Sequence, residues 1–150
     1  ILTRKLFSSL HQNTVERERN LTEINERNRK KLADLRWHYF NLSWYYLSSE
    51  KRNWSSSRQY CKDKGIDLVV INSQEEQVID LCAWIGLTDL NEEGVWKWVD
   101  NTSLTKAYWT KGQPNNYKGQ DCALIWDRAN LLEAWNDENC SRKLQWVCEM

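Results

Sequence analysis

Five cysteines constrain this chain more than any other feature of its sequence. They stand at Cys61, Cys82, Cys122, Cys140 and Cys148, and no Cys-x-x-Cys pair occurs among them. The two histidines, His11 and His38, both precede the cysteines, so a zinc site lacks a plausible set of ligands. Disulfide bonds formed in an oxidising compartment are the better explanation for so many cysteines in 150 residues.

Acceptor triplets for N-linked glycosylation indicate the same compartment. Five Asn-x-Ser/Thr triplets occur, at Asn20, Asn41, Asn53, Asn101 and Asn139. The chain begins at Ile1, and it contains neither a signal peptide nor a run apolar enough to span a membrane. We therefore expect an extracellular ectodomain.

The composition changes at residue 37. Residues 1–36 hold no Gly, Pro, Cys or Trp, whereas residues 37–150 hold all ten tryptophans. The first segment carries nine Lys/Arg against five Asp/Glu, and the second carries twelve against sixteen. We predict a helical neck over 1–36 and one domain over 37–150, whose mild acidity argues against a nucleic-acid groove.

The predicted neck is only half apolar at its heptad positions. With Leu21 at position a, the a column is Phe7, Thr14, Leu21, Asn28 and Leu35, and the d column is Thr3, Leu10, Arg17, Ile24 and Lys31. The pattern favours an oligomerising coiled coil in which Asn28 fixes the register, but it also fits a helix that forms no coiled coil. The basic run at 27–31 fits contact with anionic lipid or, more simply, a solvated helix face.

Residues 37–150 show the pattern of an α+β domain. Aromatic and apolar runs predict strands at 37–40, 44–47, 68–71, 84–87, 96–99, 123–126 and 145–149. Asn53 or Ser55 can cap a short helix that carries Cys61 and stops at Gly65, and a capping box at 73–76 opens a second short helix. The polar stretch 100–121 predicts a long loop, and such loops are usually functional.

The order of these elements resembles the C-type lectin-like domain. The segments that carry the resemblance are Trp54…Cys61, Leu68-Val-Val-Ile-Asn-Ser-Gln-Glu-Glu-Gln77, Trp84-Ile-Gly-Leu-Thr-Asp89, Glu93-Gly-Val-Trp-Lys-Trp-Val-Asp100, Gly112-Gln-Pro-Asn-Asn116, Asp121-Cys122, Trp135-Asn-Asp-Glu-Asn-Cys140 and Trp146-Val-Cys-Glu149. With its helical neck, the chain looks most like the type II membrane lectin receptors of myeloid and liver cells. The resemblance implies two short helices, antiparallel sheets, a long calcium-binding loop region and glycan ligands. It also implies a homo-oligomer formed through the neck and a membrane anchor outside the given chain.

The resemblance further implies two disulfides. Cys61–Cys148 would tie the first helix to the last strand, and Cys122–Cys140 would close the ligand-binding loops. Cys82 is left over, which fits either a buried thiol or an intermolecular disulfide. Only six residues separate Gln77 from Trp84, fewer than in most relatives, so the second helix is expected to be short.

The resemblance implies two calcium sites. Calcium prefers oxygen ligands that include carboxylates, and the matching positions supply such residues. The auxiliary site of the family maps onto Asp89, Glu93, Asn116 and Asp121. The primary, sugar-coordinating site maps onto Gln113, Asn115, Gln120, Asn136 and Asp137. In the primary set only Asp137 is a carboxylate, and relatives usually carry acids where Gln120 stands. We expect weakened calcium affinity there.

The resemblance does not fix the sugar. In the family, two sugar hydroxyls complete the calcium shell, with Glu-Pro-Asn typical of mannose-like and Gln-Pro-Asp of galactose-like ligands; Gln113-Pro114-Asn115 is neither. Pro114 is expected to be cis. The expected glycan contacts are Gln113, Asn115, Tyr117, Asn136 and Asp137. Trp126 ends an apolar run and is expected in the core.

Two functions remain open at this point. The first is calcium-dependent glycan binding, made multivalent by the neck. The second is a lectin-like receptor that keeps structural calcium but binds a protein or another non-sugar ligand, which Gln113 and Gln120 favour. An enzyme is not expected, because no nucleophile-elbow, metalloprotease, P-loop or dinucleotide-binding motif occurs.

Overall fold

A computed structural model describes residues 2–34, 36–77, 82–126, 130 and 132–150. The chain divides into two compact units, Ile1–Arg36 and Trp37–Met150. Helix α1, Leu2–Asp34, makes up the first unit, and its side chains at 11–28 are exposed, including Val15, Leu21 and Ile24. The coiled coil remains a prediction. Among the described residues, no helix combines the length and the hydropathy that a membrane crossing requires.

In its described residues, the second unit is an eight-stranded sheet with one α-helix. Its elements are β1 Trp37–Phe40, β2 Ser43–Leu47, α2 Trp54–Lys62, β3 Asp67–Leu68, a 3₁₀ turn at Glu75–Gln77, β4 Ala83–Thr88, β5 Lys97–Trp98, β6 Cys122–Ile125, β7 Trp135–Glu138 and β8 Gln145–Glu149. The strand order is β1-β2-β8-β4-β6-β7, with β3 paired to β8 and β5 to β4. The α+β fold expected from the resemblance is confirmed.

One pair of strands departs from the antiparallel arrangement that the resemblance implied. β4 and β8 are parallel, with Ala83 opposite Gln145 and Trp84 opposite Trp146. After β7, at one end of the sheet, the chain crosses past β6 and β4 and forms β8 between β4 and β2. It does not turn back to pair with β7. A hairpin therefore does not set the direction of β8, and the sheet is mixed.

Strand β7 is absent from the sequence prediction because its residues are mostly polar. Trp135 and Asp137 are buried, whereas Asn136 and Glu138 are half-buried, so the period of two is present but an aspartate occupies one inward position. β3 and β5 have only two residues each, shorter than the predicted runs. The sheet accepts a buried carboxylate at β7.

The first short helix begins as predicted. The Asn53 side chain caps α2 by accepting a hydrogen bond from the Ser56 N–H at 2.8 Å. The described part of the second predicted helix is the 3₁₀ turn, where Glu76 Oε2 accepts the Ser73 N–H at 3.3 Å as in a capping box. Residues 78–81 lie outside the described residues.

The two expected disulfides are confirmed. Cys61–Cys148 joins α2 to β8, and Cys122–Cys140 joins β6 to the turn that follows β7. In the chain-entropy account, closing a separation of 87 residues stabilises the fold by about 4–5 kcal/mol. Cys82 belongs to neither disulfide and packs, half-buried, against the core cluster that contains Trp84.

Strand β4 is buried on both faces and separates two core clusters. Ile85 and Leu87 face one cluster, and Trp84 faces the other. Gly86 lies on the Trp84 face, where backbone segments cross it: a Cβ there would lie 2.8 Å from Val99 Cγ2 and 2.9 Å from the Leu68 carbonyl oxygen. This close approach fixes the strand whose end enters the candidate site.

We expect Gly86→Ala to lower the free energy of unfolding by about 2–3 kcal/mol, because the added methyl meets backbone that has no room to move. Gly65→Ala is the matched control: its φ is +76° but nothing lies within 4 Å of the added methyl. It should cost about 1–2 kcal/mol, from the left-handed backbone alone, which is less than the loss at Gly86. Guanidinium unfolding measures both, and equal losses would contradict this account of Gly86.

Candidate functional site

The paired ends of β4 and β6 bring two carboxylates together. Asp89 follows β4, and Asp121 precedes β6. The Asp121 carbonyl oxygen accepts the Asp89 N–H at 3.2 Å and the Thr88 hydroxyl at 2.6 Å. Two predicted auxiliary calcium ligands thus lie side by side because of strand register.

The turn after Asp89 holds that carboxylate in place. Asp89 Oδ2 accepts the Gly94 N–H at 2.8 Å, and Gly94 has a φ of +77° that few other residues adopt. Asp89 is only 4% exposed, and its Oδ1 has no hydrogen-bond partner among the described residues. A buried carboxylate oxygen without a partner is costly unless a cation or donor satisfies it.

The auxiliary residues form one electrostatic group. Burial raises the pKa of Asp89, and the carboxylates of Asp121 and Asp137 raise it further. The pKa of Glu93 is raised by partial desolvation and then by Asp89 and Asp121, while a hydrogen bond with the Asn116 side chain opposes the shift. The structure therefore brings Asp89, Glu93, Asn116 and Asp121 together with an excess of negative charge.

The loop that carries the Gln-Pro-Asn motif is tied to β7 through Asp137. Asp137 is fully buried, and its Oδ2 accepts the N–H groups of Asn115 at 2.9 Å and Asn116 at 2.6 Å. The Gln113–Pro114 peptide bond is cis, as expected. One strand residue thus positions the whole motif.

Two acceptor oxygens of the predicted primary site have no partner. Asp137 Oδ1 and Gln113 Oε1 are both buried, and neither has a hydrogen-bond partner in the described part of the chain. Native proteins rarely leave such groups unsatisfied. Either a cation or the hydroxyl groups of a ligand would satisfy them.

The other predicted primary residues are held by local hydrogen bonds. The Tyr117 N–H donates to Asn115 Oδ1 at 2.8 Å and to Gln120 Oε1 at 3.2 Å. Asn136 Nδ2 donates to the carbonyl oxygen of Asp137 at 2.6 Å. Asn115 and Gln120 therefore converge on one backbone N–H, whereas Asn136 is oriented by its own strand.

Sequence reasoning missed Glu138, which contacts Gln120. Gln120 Nε2 donates to Glu138 Oε1 at 3.3 Å, and Arg142 forms an ion pair with the same carboxylate. Partial burial opposes ionisation of Glu138, but hydrogen bonds from the Asn139 N–H, Arg142 and Gln120 lower its pKa on balance. The spacing of four residues between Glu138 and Arg142 was the only signal in the sequence.

The expected burial of Trp126 is wrong. It lies one residue past the end of β6 and is 48% exposed, with the Arg142 guanidinium 5.9 Å from its ring. Tyr117 is 63% exposed, with Lys118 Nζ 5.0 Å from its ring. Both side chains are exposed, and each ring has a cation over it.

The donor types fit calcium. Across the ranges that the structure describes, no group of three or more His, Cys, Asp and Glu side chains is arranged to hold a metal ion. The predicted sets combine carboxylates with amides instead, and calcium accepts both kinds of oxygen. The unsatisfied oxygens of Asp89, Asp137 and Gln113, and the carboxylates that raise the pKa of Asp89, are features that a divalent cation would relieve.

Residues 50–150 match the family described as Lectin C-type domain. The chain belongs to that family. It is 40% identical over 131 residues to mouse C-type lectin domain family 4 member E, and the matched region covers 81% of this chain and 61% of that protein. It is 39% identical over 124 residues to human CD209 antigen, which covers 75% of this chain and 30% of that protein. This lectin domain is not an enzyme, because these relatives are C-type lectin receptors.

Solved structures show the same fold. The carbohydrate-recognition domain of the mouse scavenger receptor C-type lectin matches with a TM-score of 0.70 and 37% identity, covering 77% of this chain and 93% of that one. The trimeric structure of the Kupffer cell receptor Clec4f matches with a TM-score of 0.67 and 32% identity, over 87% and 93% of the two chains. The cow CD23 domain, solved in the presence of a GlcNAc2Man3 oligosaccharide, matches with a TM-score of 0.68 and 33% identity, over 77% and 92%.

The fold alone does not decide the ligand. A calcium-independent type II antifreeze protein matches with a TM-score of 0.68 and 24% identity, covering 77% of this chain and 91% of that one. The ligand of this lectin domain therefore depends on the residues of its own site.

We expect Asp89→Asn to stabilise the chelator-treated protein at neutral pH. Because the folded pKa of Asp89 is raised above its ordinary value of 3.8, ionisation in the folded state costs stability as pH rises through the folded pKa. Removing the charge relieves that cost, and the gain should disappear below about pH 4, where the wild-type carboxyl is protonated in both states. Urea unfolding at a series of pH values measures the effect.

The control for this experiment is Glu92→Gln, which removes an exposed carboxylate from the same turn. It should leave stability within about 0.5 kcal/mol of wild type at every pH. An Asp89→Asn variant that is less stable than wild type at pH 7 in chelator would contradict the electrostatic account.

Proposed function

We propose that residues 37–150 bind glycans in a calcium-dependent manner, as the extracellular domain of a receptor. The observation that carries the proposal is the pair of buried, unsatisfied oxygens, Asp137 Oδ1 and Gln113 Oε1, beside the loop that Asp137 organises. The cow CD23 domain of the same fold was solved in the presence of an oligosaccharide, which supports a glycan ligand.

Calcium is proposed at both predicted sites. Asp89, Glu93, Asn116 and Asp121 would hold the auxiliary ion, and Gln113, Asn115, Gln120, Asn136 and Asp137 the primary one. Bound calcium would supply the positive charge that balances the buried carboxylates and a coordination shell that sugar hydroxyls can enter. The auxiliary set, with three carboxylates, is the stronger of the two.

The residues of the primary site determine which arrangements of sugar hydroxyl groups can form hydrogen bonds there. Gln113 and Asn115 place an amide on each side of Pro114, and an amide both donates and accepts, whereas a carboxylate only accepts. Sugar hydroxyls can therefore either donate hydrogen bonds to these amides or accept hydrogen bonds from them. The exposed side chains of Tyr117 and Trp126 offer apolar area on which a sugar ring can pack.

The neck is proposed to make the receptor multivalent. Leu21 and Ile24 occupy heptad positions and are exposed along α1, so a homo-oligomer would bury them. The trimeric Clec4f structure shows an assembly for one similar protein. Since single lectin sites bind weakly, clustering would raise avidity. Two disulfides fit an oxidising compartment, and the membrane anchor is proposed to lie outside the given chain.

A second candidate is a receptor with structural calcium and a non-sugar ligand, such as a protein. Gln120 favours it, because its amide nitrogen is already bonded to Glu138 and brings no charge to the primary site. In that case the auxiliary site would order the loops, and the exposed face around Tyr117 would meet the ligand.

We expect the protein to be retained on immobilised mannose or galactose in millimolar calcium and released by chelator. Asp137→Asn should reduce retention about tenfold or more, because it removes the one carboxylate of the primary site. Glu133→Gln changes an exposed carboxylate in the segment before β7 and should leave retention unchanged. Equal retention of wild type and Asp137→Asn would contradict glycan binding at this site.

The charge of the primary site gives a sharper test. Gln120→Glu restores an acid, but its new carboxylate would face Glu138, which now accepts from the Gln120 amide at 3.3 Å. We therefore expect the double variant Gln120→Glu/Glu138→Gln to strengthen calcium-dependent sugar binding about tenfold, and Gln120→Glu alone to gain less. Glu138→Gln alone is the control and should give no gain.

Calorimetric titration of sugar in saturating calcium measures these affinities. If the double variant gains nothing with sugar in excess, charge is not what limits this site, and the non-sugar receptor becomes the better account.

A further inference from the structure

The β1–β2 hairpin carries an exposed aromatic patch near its turn, defined here as Tyr39 and Trp44. The two strands pair Tyr39 with Trp44, and their ring centroids lie 5.0 Å apart. Tyr39 is 58% exposed and Trp44 is 43% exposed. Contiguous exposed aromatic area on a folded domain usually meets a partner.

The patch lies on an edge of the sheet. β1 occupies one end of the strand order and pairs only with β2 in the described sheet. Edge strands with exposed apolar side chains invite unwanted pairing with other chains unless something covers them. Charged residues do not provide that protection here, because the hairpin sequence from Trp37 to Leu47 contains no Lys, Arg, Asp or Glu.

The tip of the hairpin carries a glycosylation triplet beside this patch. Asn41 and Leu42 form the two-residue turn, with φ of +45° and +68°, and Ser43 completes the acceptor triplet. Asn41 is exposed, and Leu42 is 88% exposed. The acceptor side chain is therefore accessible on a turn, two residues from Tyr39 and three from Trp44 along the chain.

The other triplets of the domain have different surroundings. Asn53 Oδ1 caps α2, and Asn139 Nδ2 donates to the Gly119 carbonyl oxygen at 3.3 Å, so both side chains have structural roles. Asn101 resembles Asn41, since it is exposed in a turn with a φ of +68°. Its neighbours Asp100 and Thr102 are polar, so a glycan there would meet no aromatic patch.

We propose that Asn41 carries an N-linked glycan whose first N-acetylglucosamine packs on the aromatic patch. The faces of a pyranose ring present C–H groups, which bury well against aromatic rings. Attachment beside the patch gives the sugar a high effective concentration there, so even a weak contact is populated. The glycan covers the sheet edge and stabilises the hairpin independently of the lectin site.

Occupancy is tested first, on the intact chain secreted from glycosylating cells. Mass spectrometry of the peptide that contains Asn41 should find it modified with N-acetylglucosamine and mannose residues. A peptide that is wholly unmodified would overturn the proposal.

Packing is tested by unfolding the protein with a single N-acetylglucosamine at each site and without any sugar. In wild type, the sugar should raise the unfolding midpoint by about 4 °C. Ser43→Ala keeps Asn41 but removes its triplet, and should lose most of this rise. Ser103→Ala, which removes the Asn101 triplet in the same way, is the matched control and should keep it.

Trp44→Ala tests whether the aromatic face produces the effect. The variant still carries the glycan, so loss of the rise in this variant supports packing on the patch. An unchanged rise would show that the sugar projects into solvent and would overturn the proposal. Trp44-dependent self-association of the glycosylated protein, measured by sedimentation, would assign the patch to a second copy of the chain and would overturn it equally.

Discussion

The buried carboxylate of Asp137 connects the sheet to the loop that would bind a ligand. Its Oδ2 holds the N–H groups of Asn115 and Asn116, while its Oδ1 has no partner among the described residues. The first oxygen holds the loop in its conformation. The second is buried, which is unfavourable unless a cation or a hydrogen-bond donor satisfies it.

The second constraint is charge. Asp89, Asp121 and Asp137 come together because β4, β6 and β7 are neighbours, and Glu93 joins them from the turn after β4. The neighbouring carboxylates raise the pKa of Asp89 and of Glu93, which costs folding free energy at neutral pH. Under the proposed function, bound calcium would balance this charge and make the arrangement favourable. At the primary site the amides of Gln113 and Gln120 would reduce this gain, because they carry no negative charge. Glu138 is a nearby carboxylate, but it already forms an ion pair with Arg142.

Much of the fold could be predicted from the sequence, because its signals were local or specific. The Asn53 cap, the strand at β4 and the disulfide pairs follow from capping chemistry, apolar periodicity and the family resemblance. β7 was missed because Asp137 occupies an inward position, and the exposure of Trp126 was missed because a strand end is not visible in an apolar run. For the candidate site, the sequence indicates the donor residues, which remain predictions. The bond between Gln120 and Glu138 could not be predicted, since it depends on the pairing of β6 with β7.

Isothermal titration of calcium into chelator-treated protein, alone and with excess mannose or galactose, tests the central claim most directly. The account predicts two bound ions per chain, a tighter one at the auxiliary site and a weaker one whose affinity rises with one of the sugars. Binding of one ion that is indifferent to both sugars would support the receptor with structural calcium and a non-sugar ligand. No binding at millimolar calcium would contradict the account, because the buried carboxylates would then need another partner.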